Sequence, residues 1–204
     1  MELEEALARV SEIRLQIARS EPFRGYRSAT AAFSGLVAIG AAALQSLVIR
    51  DPAADPQRYL VLWIVAAIVS VAITAVEMTV RCRRSASPTA ARLTWLAVEQ
   101  FLPCTIVGAV VTLVLALFAP ESLWLLPGLW GVIFSLGVFA SCRLLPRPVF
   151  WVAFYYLACG AAALALARGP HAFSPWAMAI TFGGGQMLAA VVLYVTLERN
   201  HGHQ

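Results

Sequence analysis

Three observations predict an all-α polytopic membrane protein, a bundle of six transmembrane helices in three hairpins preceded by an amphipathic helix. Apolar side chains make up 60% of the 204 residues and charged ones 13%, against about 45–50% and about 25% in soluble domains. The mean hydropathy is +0.76. The apolar residues fall into six runs, each near the ~20 residues that a helix needs to cross a ~30 Å hydrocarbon layer. The third observation is where the charges lie: every basic residue is an arginine, and these cluster in the connections. The pI near 9.2 therefore describes loop flanks; it implies a lipid bilayer as partner and no nucleic acid.

Residues 1–27 carry Glu2, Glu4, Glu5, Glu12 and Glu21 against Arg9, Arg14, Arg19, Arg24 and Arg27, without the apolar stretch of a secretory signal. Within them Leu3, Ala6, Leu7, Val10, Ile13 and Ile17 recur at helical spacing, which predicts an amphipathic helix over residues 2–20 stopped by Pro22. Its stripe, led by Leu3, Val10, Ile13 and Ile17, has to be buried against something. The choices are the bundle itself, the headgroups, a cytoplasmic protein partner or a second copy; the pattern is too short to establish a coiled coil.

The spans are expected at 28–49, 58–80, 95–118, 122–142, 149–167 and 174–197, giving a transmembrane domain over 28–197 and a tail at 198–204. Lipid cannot satisfy backbone amides, so the runs must be helices, and the alternating pattern of a barrel is missing. The connections are short, 119–121 being a tight turn, so consecutive spans should form antiparallel hairpins.

Arginine placement orients the bundle. With the amino terminus inside, Arg9, Arg14, Arg19, Arg24, Arg27, Arg81, Arg83, Arg84, Arg92, Arg143, Arg147 and Arg199 are retained there, and only Arg50, Arg58 and Arg168 lie outside. Both termini should then be cytoplasmic. Tyr59, Trp63, Trp124 and Trp176 read as the aromatic belt at the outer edge, and Tyr26, Trp95 and Trp151 as that at the inner edge. Trp130 alone is deep. The odd spans share small-residue segments (Ser34-Gly35, Cys104 to Gly108, Cys159-Gly160) and the even ones end at Arg81, Arg143 and Arg199. An internal triplication would produce this, and so would the positive-inside rule alone.

Polar residues inside the runs are the site candidates. Glu77 stands one turn before Arg81, the spacing of an ion pair. Ser87-Pro88 starts the third helix in the interface and carries Glu99 about a turn into the core, where Pro103 removes the amide that would bond its carbonyl. Glu77, Glu99, Gln100, Tyr155, Tyr156 and Tyr194 share the inner half of the membrane. Ionisable groups there face the bundle or a water-filled cavity, so these residues either line an inward-facing pocket for a cation or proton, or lock the bundle through arginine pairs. Gly183, Gly184, Gly185 and Gln186 fall in the middle of the last span, where they allow close packing or a broken helix that binds a substrate. Pro127-Gly128 in the fourth span is read in the same two ways.

Several chemistries are excluded. Cys82, Cys104, Cys142 and Cys159 lack CxxC spacing and histidine neighbours, so they read as small apolar residues. No histidine lies in a span; His171 is in a loop and His201 and His203 are in the tail, which leaves no metal site and no haem ligation. Catalytic groupings and cofactor motifs (Walker A, GxGxxG, HExxH) are absent, so neither an enzyme nor a cofactor is expected.

The strings EPFRGYRSAT, RCRRSASP, AVEQFLPC, LWLLPGLWG, FASCRLLPR, SPWAM and FGGGQ before LYVTLER resemble a family of small six-span membrane proteins of bacteria. The resemblance spans nearly the whole chain and implies a multi-pass protein of the bacterial inner membrane. It transfers no activity and no functional residue. The function expected from the residues is a non-enzymatic sensor, scaffold or accessory subunit acting through a cytoplasmic partner. A small transporter or channel built on the Glu99 pocket is the second expectation, and a membrane-embedded enzyme the third.

Overall fold

A computed structural model describes residues 28–85, 88–142 and 145–198, and every regular element among them is helical. The elements are α1 (Ser28–Val48), α2 (Pro56–Ser85), α3 (Pro88–Phe118), a 3₁₀ turn (Pro120–Leu125), α4 (Leu126–Ser141), α5 (Val149–Leu166) and a second 3₁₀ turn (Gly169–Phe173). The sixth span is composite: α6 (Pro175–Met178), a π-helical segment (Ala179–Gly184), α7 (Gly185–Leu193) and a π-helical end (Tyr194–Glu198). Among the described residues six stretches are long and apolar enough to cross a membrane: Ser28–Val48, Pro56–Val80, Val98–Phe118, Pro120–Ser141, Val149–Leu166 and Pro175–Thr196. The chain is a multi-pass membrane protein. The helix expected over residues 2–20, with Leu3, Val10, Ile13 and Ile17, lies outside the described residues, as do Ser87, Arg143, His201 and His203.

The expected boundaries hold to within a few residues, and the fourth span, expected at 122–142 and found at Pro120–Ser141, opens as a 3₁₀ turn before α4. Two prolines account for this. Pro120 and Pro127 lack N–H groups and sit at or next to the first position of the 3₁₀ turn and of α4, where no intrahelical donor is needed.

Packing runs in the order α2, α1, sixth span, α5, α4, α3, with the broadest contact between α4 and α5 and only a sparse one between α2 and α3. Glycine makes the closest seam possible. A Cβ on Gly160 of α5 would lie 2.7 Å from the backbone nitrogen of Val132 and 2.8 Å from the carbonyl oxygen of Gly128 in α4. The two backbones touch directly there, as small residues allow at membrane helix crossings. Gly35 of α1 meets the carbonyl of Gly183 in the same manner, at 3.2 Å from its would-be Cβ. Gly108, in the corresponding segment of the third span, faces only Ile133 at 3.9 Å, so the three small-residue segments do not pack alike.

The interior has three levels. At one end, here called distal, Ala41, Ala42, Ile49, Tyr59, Trp63, Leu123, Leu126 and Phe173 form a cluster where three connections meet. At the terminal end Ala31, Val149, Ala190 and Leu193 form a second. Between them Phe101, Phe134, Tyr156 and Phe182 interlock from four spans, with ring centroids 4.7–5.8 Å apart, the separation of favourable edge-to-face pairs. Trp130 of α4 is half-buried, and its Nε1–H donates to the Thr112 hydroxyl of α3 at 2.8 Å.

Candidate functional site

The polar candidates of the terminal half have different surroundings. The Thr30 hydroxyl of α1 donates to the Glu77 carboxylate of α2, so Glu77 is held across two spans; the side chain of Arg81 is outside the described residues. Tyr156 is buried in the aromatic interior. Its neighbour Tyr155 is half-buried and donates its hydroxyl to the carbonyl of Ile180 at 2.8 Å. That carbonyl belongs to the π-helical segment, where each backbone bond spans one more residue than in an α-helix, a distortion frequent at functional positions. The Gln100 side-chain oxygen is buried and has no partner among the described residues. Glu99 and Tyr194 are exposed, on α3 and the sixth span.

Each glycine of the mid-membrane run faces a neighbour. A Cβ on Gly183 would meet Ile39 at 2.8 Å, on Gly184 the Tyr155 hydroxyl at 2.5 Å, and on Gly185 the Tyr156 ring at 2.4 Å. The run thus receives α1 on one side and the two tyrosines of α5 on the other. Gln186, next in the chain, is half-buried, and its β-carbon lies 3.3 Å from the position a Cβ would take on Gly35. Pro127 and Gly128 are both buried, with Gly128 against Leu164 and the Gly160 carbonyl.

One buried polar centre was not singled out from the sequence. Gln45 of α1, 1% exposed, donates through Nε2 to the Phe173 carbonyl at 2.7 Å and accepts through Oε1 from Trp63 Nε1 at 2.9 Å. One amide therefore ties α1, α2 and the second 3₁₀ turn. Tyr59 and Trp63, expected in the outer aromatic belt, are buried in this centre. The belt expectation weighed the two rings by their height in the membrane, and the amide that recruits the indole N–H lies 18 residues earlier. An amide in an apolar run demands a partner, and that was the available signal. The Tyr59 hydroxyl is buried with no partner among the described residues.

Glu99 has the opposite surroundings. No residue of Val98–Phe118 is buried, and in α2 none beyond Trp63 is, as far as Val80. Leu102, Ile106, Val110, Leu113 and Leu117 are all more than half exposed. Glu99 falls in the first turn of this apolar stretch, four residues after the exposed Trp95, or ~6 Å further along the helix axis. Among the described residues it has no hydrogen bond or ion pair.

At the distal end two clefts open, of about 290 and 280 Å³. Pro56, Pro120, Glu121, Trp124 and Phe173 contribute to the first, and Arg50, Asp51, Asp55 and Arg58 to the second. Arg58 pairs with Asp55 at 3.0 Å. Cys104, Cys142 and Cys159 are free thiols, and Cys142 donates to the Val138 carbonyl at 3.3 Å.

Set against family models, curated proteins and solved structures, the chain matches none.

Proposed function

We propose that this protein is a non-enzymatic subunit of the bacterial inner membrane, a scaffold, sensor or accessory chain that works by holding a partner against α3. The reading also takes the six spans as three hairpins with both termini in the cytoplasm, so that the helix over residues 2–20 offers a second contact to a cytoplasmic partner.

The observation that carries it is the exposure of Glu99 on a span with no buried residue. A carboxylate facing lipid is costly, by up to ~3 kcal/mol at the bilayer centre and less near the edge. A partner helix that brings a cation or hydrogen-bond donor to this level removes that cost. Support comes also from the packing order: α3 lies broadly against α4 alone and touches α2 sparsely, which leaves most of its circumference open. A transporter built on Glu99 has less support, since Glu99 and Tyr194 are both exposed; its strongest element is the buried amide oxygen of Gln100, which has no partner among the described residues.

A photo-cross-linking residue in place of Val110, on the exposed face of α3, tests the proposal in intact membranes. Adducts with a second polypeptide are expected at Val110 and not at buried Ala153. Adducts with lipid alone at both positions would refute it.

A further inference from the structure

The first distal cleft is built from rigid parts. Pro56 and Pro120 fix their own backbones, and Leu123 and Leu126, both buried, hold down the 3₁₀ turn that carries Glu121 and Trp124. Phe173 is fixed twice: its carbonyl accepts from Gln45 at 2.7 Å, and its ring meets Tyr59 edge-on with centroids 5.0 Å apart. The cleft is therefore formed before anything enters it, which reduces the ordering cost of binding.

Its chemistry is selective. Trp124, Pro56 and Pro120 supply apolar surface, Phe173 is 6% exposed and adds little, and among the described residues of the lining Glu121 supplies the one charge. Glu121 is exposed and has no hydrogen bond or ion pair among the described residues, while Arg58, in the neighbouring cleft, is committed to Asp55. An acid beside an aromatic face repels anions and complements a cation with an apolar shell, the arrangement that recognises quaternary ammonium groups. A bare metal ion would find a single carboxylate and no further ligand from the lining side chains. The volume, about 290 Å³, lies at the lower edge of small-molecule sites and suits a substituted ammonium group better than a large cofactor.

We propose that this cleft binds a small organic cation, its ammonium group lying against Trp124 and its charge answered by Glu121. The ammonium can arrive as a free solute or as the headgroup of a neighbouring lipid, because the cleft opens at the end of the spans. The site is independent of Glu99 and of the partner face on α3.

Equilibrium dialysis of radiolabelled choline against the full-length protein, in a detergent that carries no ammonium group, tests this directly. Saturable binding of one choline per chain is expected, displaced by tetramethylammonium and not by equal sodium. Glu121→Gln and Trp124→Leu should each weaken it by ~tenfold or more, Glu121→Asp should recover part, and Glu99→Gln should leave it unchanged. Melting temperatures close to that of the wild type show that the variants are folded. Repeating the dialysis in nanodiscs of phosphatidylglycerol, with and without phosphatidylethanolamine, separates the sources: displacement by the amine lipid identifies a headgroup site, and undiminished binding a site for a free solute. Absence of saturable choline binding, or equal binding by wild type and Glu121→Gln, overturns the proposal.

Discussion

Gln45 and Tyr59 stand a few ångströms from Trp63 and Phe173, yet their substitutions should have opposite effects. The Gln45 amide satisfies the Trp63 N–H and the Phe173 carbonyl, so Gln45→Leu strands two buried polar groups. Each costs about 1–3 kcal/mol, and the variant should lose at least about 2 kcal/mol of stability in detergent. The Tyr59 hydroxyl has no partner among the described residues, so Tyr59→Phe removes a group that is already unsatisfied. Stability should stay level or rise by up to about 1 kcal/mol. Thermal unfolding of both variants checks the pair, and a marked loss in Tyr59→Phe would mean that the hydroxyl has a partner after all.

At this scale the sequence was least legible. Glu77, Glu99 and Gln100 stand out as polar letters in apolar runs, but which side of a helix each faces depends on neighbours that the run does not name. The apolar moment that marks an inward face in a soluble helix is missing when lipid is the surrounding solvent. Glu99 reads from the sequence either as a pocket residue or as half of an arginine pair, and in the structure it is exposed. Gln45 is as conspicuous as Gln100, but its role is not legible in the sequence, because its partners lie 18 and 128 residues away.

Among the elements, two glycines test whether close approach or chain flexibility explains their use. At Gly160 an added methyl would meet only backbone atoms of α4, at 2.7–3.0 Å, and backbone cannot rotate aside. Gly160→Ala should force α4 and α5 apart and cost about 1–3 kcal/mol. Gly40 has nothing within 4 Å, so Gly40→Ala should be neutral or stabilise by up to about 1 kcal/mol through helix propensity. Equal effects at the two sites would contradict the seam.

Element placement was the most legible level, because hydrophobic run length fixes membrane helices almost unaided. The departures have local causes. The 3₁₀ entry to α4 follows from Pro120 and Pro127, and the π-helical segment Ala179–Gly184 precedes Gly185, against which Tyr156 packs. The glycines at 183–185 are conspicuous in the sequence, but their packing partners, Ile39, Tyr155 and Tyr156, are not legible there, since nothing in one span states which span it meets.

For the whole molecule, orientation rests on the arginine distribution. Single cysteines in a background lacking the native four should react with an impermeant maleimide from outside at positions 55 and 171. Cysteines at 85 and 147 should react only after lysis. The reverse pattern would invert the proposed topology while leaving the helix bundle intact.

In the proposed assembly α3 is the helix shared with the partner. In the single chain Glu99 is exposed and has no hydrogen bond or ion pair among the described residues, so Glu99→Leu should leave the melting temperature of the isolated protein unchanged or raised. The complex should behave differently. The decisive measurement is the mass of the protein extracted from its own membranes in mild detergent, by light scattering on a sizing column. Wild type should exceed its 22.0 kDa chain mass by at least one further polypeptide, and Glu99→Leu should return it to the single chain without loss of stability. A wild-type protein that is already a single chain, or a Glu99→Leu complex of undiminished mass, would contradict the account.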